Sequence, residues 1–194
     1  MTDPWLVVGL GNPGAQYETT RHNIGYLVVD ELASRMGASL ARHKKAHALA
    51  AEGRLGLPGD QVRMVLLEPL SFMNASGGPV KAAAAFYGIA VERIIAVHDE
   101  LDIPFGTLRV KFGGGDNGHN GLKSMRSALG TGDFYRVRCG IGRPPGRQAP
   151  ADFVLKPWSS TERPDVPLLV DKAADAIECL VRNGLDATQS QFNS

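Results

Sequence analysis

The sequence predicts an α/β protein: one domain with a twisted, mixed central sheet flanked by helices. Three observations predict it. Short apolar runs alternate along the chain with segments whose apolar residues recur every three or four positions, the pattern of strands alternating with helices. Glycine and proline gather at a few junctions, 9–14, 77–79, 113–121 and 140–146, which punctuates a loop-rich face rather than a disordered chain. No internal repeat and no linker interrupts the 194 residues. That length suits one domain, 1–194, whose core removes roughly 70% of the unfolded surface from water.

The elements follow in order. Residues 5–8 are an apolar run ending at Gly9, a buried strand. Ile24, Leu27, Val28, Leu32 and Met36 keep helical spacing, with Thr20 or Asn23 available as cap and Gly37 as stop. Residues 46–51 and 64–67 read as strands on either side of a turn at 56–60. Residues 80–87 are alanine-rich with Gly88 behind them, a helix. Residues 94–97 form a strand, with His98, Asp99 and Glu100 beyond its C-terminal end. A strand at 107–112, a helix at 122–129 closed by Gly130, and a strand at 135–141 come next. Val166, Leu169, Ala173, Ile177 and Leu180 mark a long amphipathic helix ended by Asn183 and Gly184, with Pro167 tolerated in its first turn. Residues 144–150 read as a flexible loop and 186–194 as a frayed polar tail. Ligands of such folds bind beyond the C-terminal strand ends. That gathers the loops at 9–23, 68–78, 98–106 and 113–121 into one candidate cleft.

Composition narrows the class. Hydrophobic residues make up 43%, an ordinary globular value. No apolar run approaches the ~20 residues of a membrane span. The first residues lead into a strand without the basic and apolar regions of a signal peptide. Cys139 and Cys179 sit inside apolar elements at no metal-ligand spacing, so they read as buried reduced thiols. These features point to the cytoplasm. A net charge of +1 neither requires nor excludes a nucleic-acid partner, because a local basic patch on a neutral protein suffices.

The run Gly9-Leu10-Gly11-Asn12-Pro13-Gly14 matches G-x-G-x-x-G after a strand. A dinucleotide fingerprint also needs a helix directly after the third glycine and an acidic residue about 20 positions on. Here Tyr17 to His22 intervene, and Glu31 lies inside the helix pattern, so the run reads as a tight turn that aims the Asn12 amide into the cleft. His22 precedes the first helix. It is either a surface or capping histidine or a general base, since an unperturbed imidazole pKa of about 6.5 suits proton transfer at neutral pH. Asp99 is either an ordinary loop acid or the carboxylate that orients such a base. A metal site built from His98, Asp99, Asp102 and His119 is a different reading, but the spacing matches no defined ligand set. No G-x-S-x-G supplies a serine nucleophile, and Ser71 and Ser76 read as turn or cap residues. Water activated by histidine remains as the nucleophile. Asn74 and Asn120 are amides that could hold a substrate carbonyl or its oxyanion. Phe72 and Met73 read as packing or as an apolar pocket for an acyl group. The glycine-rich run 113–121 is either a bland lid or a loop whose backbone approaches a ligand. The basic residues near it are a solvated face or a phosphate patch.

Six motifs in order are specific where any one is weak. They are the G-x-G-x-x-G run, Tyr17-x-x-Thr20-Arg21-His22-Asn23-x-Gly25, Phe72-Met73-Asn74-x-Ser76-Gly77, His98-Asp99-Glu100-Leu101-Asp102, Gly118-His119-Asn120-Gly121-Leu122-Lys123-Ser124 and Gly140-Ile141-Gly142-Arg143-Pro144. Together they resemble the bacterial peptidyl-tRNA hydrolase family, and the later Phe153-Val154-Leu155 and C-terminal helix extend the resemblance over nearly the whole chain. The resemblance implies a monomeric, cofactor-free α/β hydrolase without a bound metal. Such an enzyme cleaves the ester between a peptide and the terminal ribose of tRNA. It implies His22 as base and Asp99 as its orienting partner. Asn12, Asn74 and Asn120 would bind the peptide end and the water; Tyr17, Phe72, Met73 and His119 would line the cleft. Lys111, Arg136 and Arg138 would meet tRNA phosphates. Two positions depart from the family pattern: Glu68 stands where many relatives carry a basic or apolar residue, and Asp116-Asn117 makes the glycine-rich loop more polar.

Overall fold

In chain order the strands are β1 (Trp5–Gly9), β2 (Ala41–Arg42), β3 (Ala48–Leu55), β4 (Val62–Pro69), β5 (Ile94–Glu100), β6 (Leu108–Phe112) and β7 (Tyr135–Gly140). The helices are α1 (Ile24–Met36), α2 (Gly77–Tyr87), α3 (Asn120–Leu129), α4 (Pro150–Val154), α5 (Val166–Asn183) and α6 (Leu185–Phe192). This computed structural model describes residues 3–193. The strands form one sheet in the order β2-β3-β4-β1-β5-β7-β6. The four central strands, β4, β1, β5 and β7, run parallel and are almost wholly buried, as strands covered on both faces must be. Antiparallel β3 and β2 extend one edge and antiparallel β6 the other, which makes the sheet mixed as expected.

Alternation along each strand sorts the core into two layers. Val7, Leu66, Ile95 and Val137 pack with Val28 and Leu32 of α1 and Ala173 and Ile177 of α5. Leu6, Val8, Leu67 and Ala96 pack with Val80 and Ala83 of α2 and Leu122 and Met125 of α3. The chain leaves β1 toward α1 on the first face and leaves β4 toward α2 on the second. Connections that diverge in this way open a crevice at the C-terminal strand ends. The entry to α1 is drawn against that crevice by two glycines. A Cβ on Gly9 would lie 2.4 Å from the Gly25 carbonyl oxygen, and one on Gly25 would lie 2.5 Å from the Leu10 nitrogen. Any side chain at either position would push the α1 entry away from the sheet.

Several boundaries differ from the sequence reading. β5 continues through His98, Asp99 and Glu100 instead of ending at Val97, because these residues pair with Arg138, Cys139 and Gly140 of β7. The two-residue β2 and the five-residue α4 were not anticipated. The expected frayed tail is instead the helix α6. Phe192 is buried in the core, and the Asn193 amide bonds both the Val110 nitrogen at 2.7 Å and its carbonyl at 3.0 Å. Those bonds satisfy the open edge of β6, which gives polar residues a reason to be ordered. Residue 194 of that expectation lies outside the described residues.

Candidate active site

Between Gly9 and α1 the chain makes two short 3-10 turns, Ala15–Tyr17 and Arg21–Asn23, and His22 is the middle residue of the second. Only a three-residue 3-10 turn follows Gly14 and the first α-helix begins at Ile24, so the run lacks the helix that a dinucleotide fingerprint sets directly after its third glycine. The turn is held by the far end of the chain. Thr20 bridges Pro157, and the Arg21 nitrogen donates to the Lys156 carbonyl. The Arg21 guanidinium pairs with Glu162 at 2.7 Å, donates to the Phe153 carbonyl at 3.0 Å, and lies 3.9 Å over the Phe153 ring.

Asn23 was expected as a possible helix cap. Its side chain makes no capping bond. It accepts from the Asn12 nitrogen at 2.9 Å and donates to the Asn12 carbonyl at 2.9 Å, closing the loop from Leu10 to His22. Asn12 passes the constraint on: its Oδ1 accepts from the Met73 nitrogen at 2.7 Å. One amide therefore ties the turn bearing His22 to the turn bearing Met73 and Asn74. A short amide directly after the histidine was the signal that sequence reading passed over.

Asp99 is buried in β5, and three histidines surround it. His22 Nδ1 lies 2.9 Å from both carboxylate oxygens, and His119 Nε2 lies 2.8 Å from Oδ1. The His119 ring also caps α3. Its Nδ1 accepts from the Gly121 nitrogen at 3.1 Å and the Leu122 nitrogen at 3.4 Å. That role assigns the tautomer: Nδ1 accepts, so Nε2 carries the proton that is donated to Asp99. Burial alone would raise the Asp99 pKa, but the His22 charge and the hydrogen bonds from both histidines hold it well below the usual carboxylate range. Burial alone would lower His22, but the Asp99 carboxylate outweighs it and raises the imidazole above its ordinary value. With Nδ1 committed to Asp99, Nε2 is the His22 atom free for chemistry. His98 donates from Nδ1 to the Asp99 carbonyl at 2.7 Å, and its Nε2 is buried without a partner. Burial, and then the neighbouring His119, push His98 well down, so it stays neutral.

His22, Asp99 and His119 form the one group among the described residues that brings metal-ligating atoms together. His98 and Asp102, included in the sequence-level metal reading, are outside it. The N···O separations of 2.8 and 2.9 Å are hydrogen-bond distances. A metal about 2.0–2.1 Å from each ligand would hold those atoms roughly 3.3 Å apart and would have to displace both protons.

His22, Asp99, His119 and Asn120 line one cavity of about 280 Å³, with Leu101 and Val154 as apolar wall. Val154 comes from α4, whose Pro150 at the first position and Asp152 in the first turn were a readable start signal. Asn117, at φ +49°, donates to Glu100 at 3.0 Å and to Asp102 at 2.7 Å, and Arg143 pairs with Asp102 at 2.7 Å. The two Asn117 bonds tie the glycine-rich loop to Glu100 at the end of β5 and to Asp102 just beyond it.

The remaining expected residues divide. Asn74 is exposed on the turn Met73–Ala75, and Asn120 is exposed at the cavity mouth; among the described residues neither amide has a protein partner. Tyr17 and Phe72 stack edge to face at 6.2 Å, with Phe72 58% exposed. Neither they nor Asn12 and Asn74 line the His22 cavity; Asn12 lines a neighbouring one. Met73 does not line the cleft either. Its side chain is buried in the α2–α3 core layer, with its sulfur against Gly121. Arg136 is a second correction. It is fully buried, stacks 4.3 Å over Phe134, and donates to the carbonyls of Gly113, Gly114 and Gly132. It latches the glycine-rich loop and cannot reach a phosphate. Lys111 and Arg138 are partly exposed, and cross-strand pairing sets Lys111 beside Arg136 and Arg109 beside Arg138. Burial and the neighbouring arginines lower Lys111, the mark of crowded positive charge.

Residues 6–194 match the family model described as "Peptidyl-tRNA hydrolase". The chain is 59% identical to the peptidyl-tRNA hydrolase of Streptomyces coelicolor, over 98% of this chain and 96% of that one. It is 58% identical to the enzyme of that name from Kineococcus radiotolerans, over 100% and 99% of the two chains. The crystal structure of peptidyl-tRNA hydrolase from Acinetobacter baumannii superposes with a TM-score of 0.87 at 38% identity, covering 100% of this chain and 96% of that one.

Proposed function

The chain belongs to the peptidyl-tRNA hydrolase family and hydrolyses the ester that joins a peptide to tRNA, and we propose that His22 is the general base of this reaction, oriented by Asp99. The observation that carries the assignment is the placement of His22 Nδ1 2.9 Å from both Asp99 oxygens, which leaves Nε2 uncommitted on a residue that lines the cavity. A water between Nε2 and the ester carbonyl carbon gives up its proton to His22 as its oxygen bonds to that carbon. The imidazolium is steadied by the Asp99 carboxylate. The tetrahedral intermediate carries its negative charge on the former carbonyl oxygen. The amide N–H donor of Asn120, which lines the His22 cavity, suits that oxygen, and one preorganised donor contributes roughly 3 kcal/mol. Collapse breaks the bond to the ribose oxygen, which takes the proton back from His22. The products are a tRNA with its terminal hydroxyl restored and a peptide carboxylic acid, which ionises to the carboxylate by releasing the second water proton to solvent.

His119 is a positioning residue. Its tautomer is set by the α3 backbone, so it donates to Asp99 without competing for the proton that His22 moves. Asn12 holds the Asn74 turn, and Tyr17 and Phe72 offer an exposed aromatic surface to the substrate. Lys111 and Arg138, with Arg109 beside them, meet tRNA phosphates. Like charges set across a strand pair repel one another until an anion lies between them, which supports this use. The catalytic groups all come from one chain, which supports action as a monomer. No described helix is long and apolar enough to cross a membrane. Together with a substrate made in translation, this supports a cytoplasmic site of action. No step calls for a metal or organic cofactor.

His22→Ala tests the assignment. Release of peptide from an N-blocked peptidyl-tRNA falls by at least about a thousandfold while the variant stays folded. Near-normal release by folded His22→Ala, or loss of wild-type activity in EDTA, overturns it.

A further inference from the structure

Beside the His22 cleft, on the other side of the Asn12–Asn23 clasp, lies a second cavity of about 350 Å³. It opens between α1 and the ends of β3 and β4. Three carboxyl groups line it: Glu18 from the loop, Asp30 from α1 and Glu68 from β4. Tyr26, one turn before Asp30 on α1, forms part of the wall. No lysine, arginine or histidine is among its lining residues.

Glu68 is the informative member. It is 5% exposed, and its Oε1 is buried with no hydrogen-bond partner. Ionised, that oxygen would be costly to bury unless something outside the fold supplied a donor. The Tyr26 hydroxyl does not supply it; that group donates to the Pro69 carbonyl. Burial, and then a hydrogen bond and the charge of the adjoining Asp30 carboxyl, push Glu68 up to about 9, so without a cationic partner the Glu68–Asp30 pair holds a proton. Among the described residues these carboxylates do not gather as metal ligands do. A cavity lined by three carboxyl groups and no basic side chain suits a cation that donates hydrogen bonds to several acceptors.

We propose that this cavity is a subsite for an ammonium group carried by the peptide part of the substrate. The proposal rests on the reading that the ester carbonyl sits at His22 and the peptide runs past Asn12. Asn12 lines the cavity and Asn23 adjoins His22, so a peptide leaving the reacting carbonyl meets this cavity next. An –NH3+ group has three donors to share among the carboxyl groups of Glu68, Asp30 and Glu18, and takes the place of the proton that Glu68 and Asp30 otherwise hold. Two parts of a peptide carry such a group: a lysine side chain and the free α-amine of a short peptide.

The test uses peptidyl-tRNAs of one length in matched pairs. One pair is N-acetylated and differs only in lysine against norleucine; the other is neutral in its side chains and differs only in a free against an acetylated α-amine. Wild-type kcat/KM favours the ammonium-bearing member of at least one pair by about tenfold, chiefly through KM, and the pair that responds names the source. Glu68→Gln and Asp30→Asn each bring that ratio toward one. Asp30 is exposed, so Asp30→Asn decides the matter if Glu68→Gln fails to fold. Wild-type ratios within about twofold of one in both pairs overturn the proposal, and so does a ratio that folded variants leave intact. Neither result bears on His22, whose role is read from hydrolysis of the neutral members.

Discussion

Asn23 grips the backbone of Asn12 with both ends of its amide, accepting from the nitrogen and donating to the carbonyl at 2.9 Å each. The residues on either side of this clasp carry the chemistry: His22 precedes Asn23, and the Asn12 side chain holds the turn of Asn74. Asn23→Ala strands two buried backbone groups. It lowers unfolding free energy by about 3 kcal/mol in urea titrations and lowers kcat in the fraction that remains folded. Wild-type stability for this variant shows the clasp to be incidental.

The pH profile follows from the raised His22 pKa. The base must be neutral, so kcat/KM climbs with pH through a single ionisation above 6.5, the ordinary imidazole value. Stability runs the other way. Because the fold favours protonated His22, its contribution is complete below the unfolded value and fades as pH rises past the folded one. An acid limb centred below 6.5 contradicts the pairing with Asp99.

Asp99→Asn removes the charge that raises His22 and leaves an amide that can turn either end toward Nδ1. Turnover falls by roughly a thousandfold or more through a mis-set tautomer. The acid limb of the residual activity moves to lower pH. A large rate loss with an unmoved limb assigns the limb to another group.

The basic residues separate by role. Lys111→Ala and Arg138→Ala raise KM for peptidyl-tRNA, and each reduces the slope of log affinity against log salt by about 1. Arg136→Leu leaves that slope unchanged and lowers thermal stability, because it frees the carbonyls of the glycine-rich loop. A salt slope reduced by Arg136→Leu returns this residue to the tRNA surface.

The sequence was legible where side-chain periodicity and burial agree. β1, α1, β4 and α5 announce themselves because their apolar residues repeat at the spacing that buries them. α6 does not, because its order comes from Asn193 on the edge of β6, a contact between residues 83 positions apart. Arg136 misled for the opposite reason. Sequence shows the charge, but only the fold shows three carbonyls closing over it. His22 and Asp99 were each ambiguous alone. The relation that gives them meaning is a 2.9 Å contact across 77 residues, and no local pattern encodes it. Family motifs named the pair, while its tautomers, the Asn23 clasp and the cap made by His119 came from geometry.

The bracket on the His22 turn has a consequence for the order in which this protein becomes active. Arg21 finds Glu162 only 141 positions later, and Thr20 waits for Pro157. While it is being made, the chain is itself a peptide esterified to tRNA, the bond it is built to cut. Its catalytic turn is fastened by residues that lie beyond all seven described strands, so the turn closes only after the whole sheet has been synthesised.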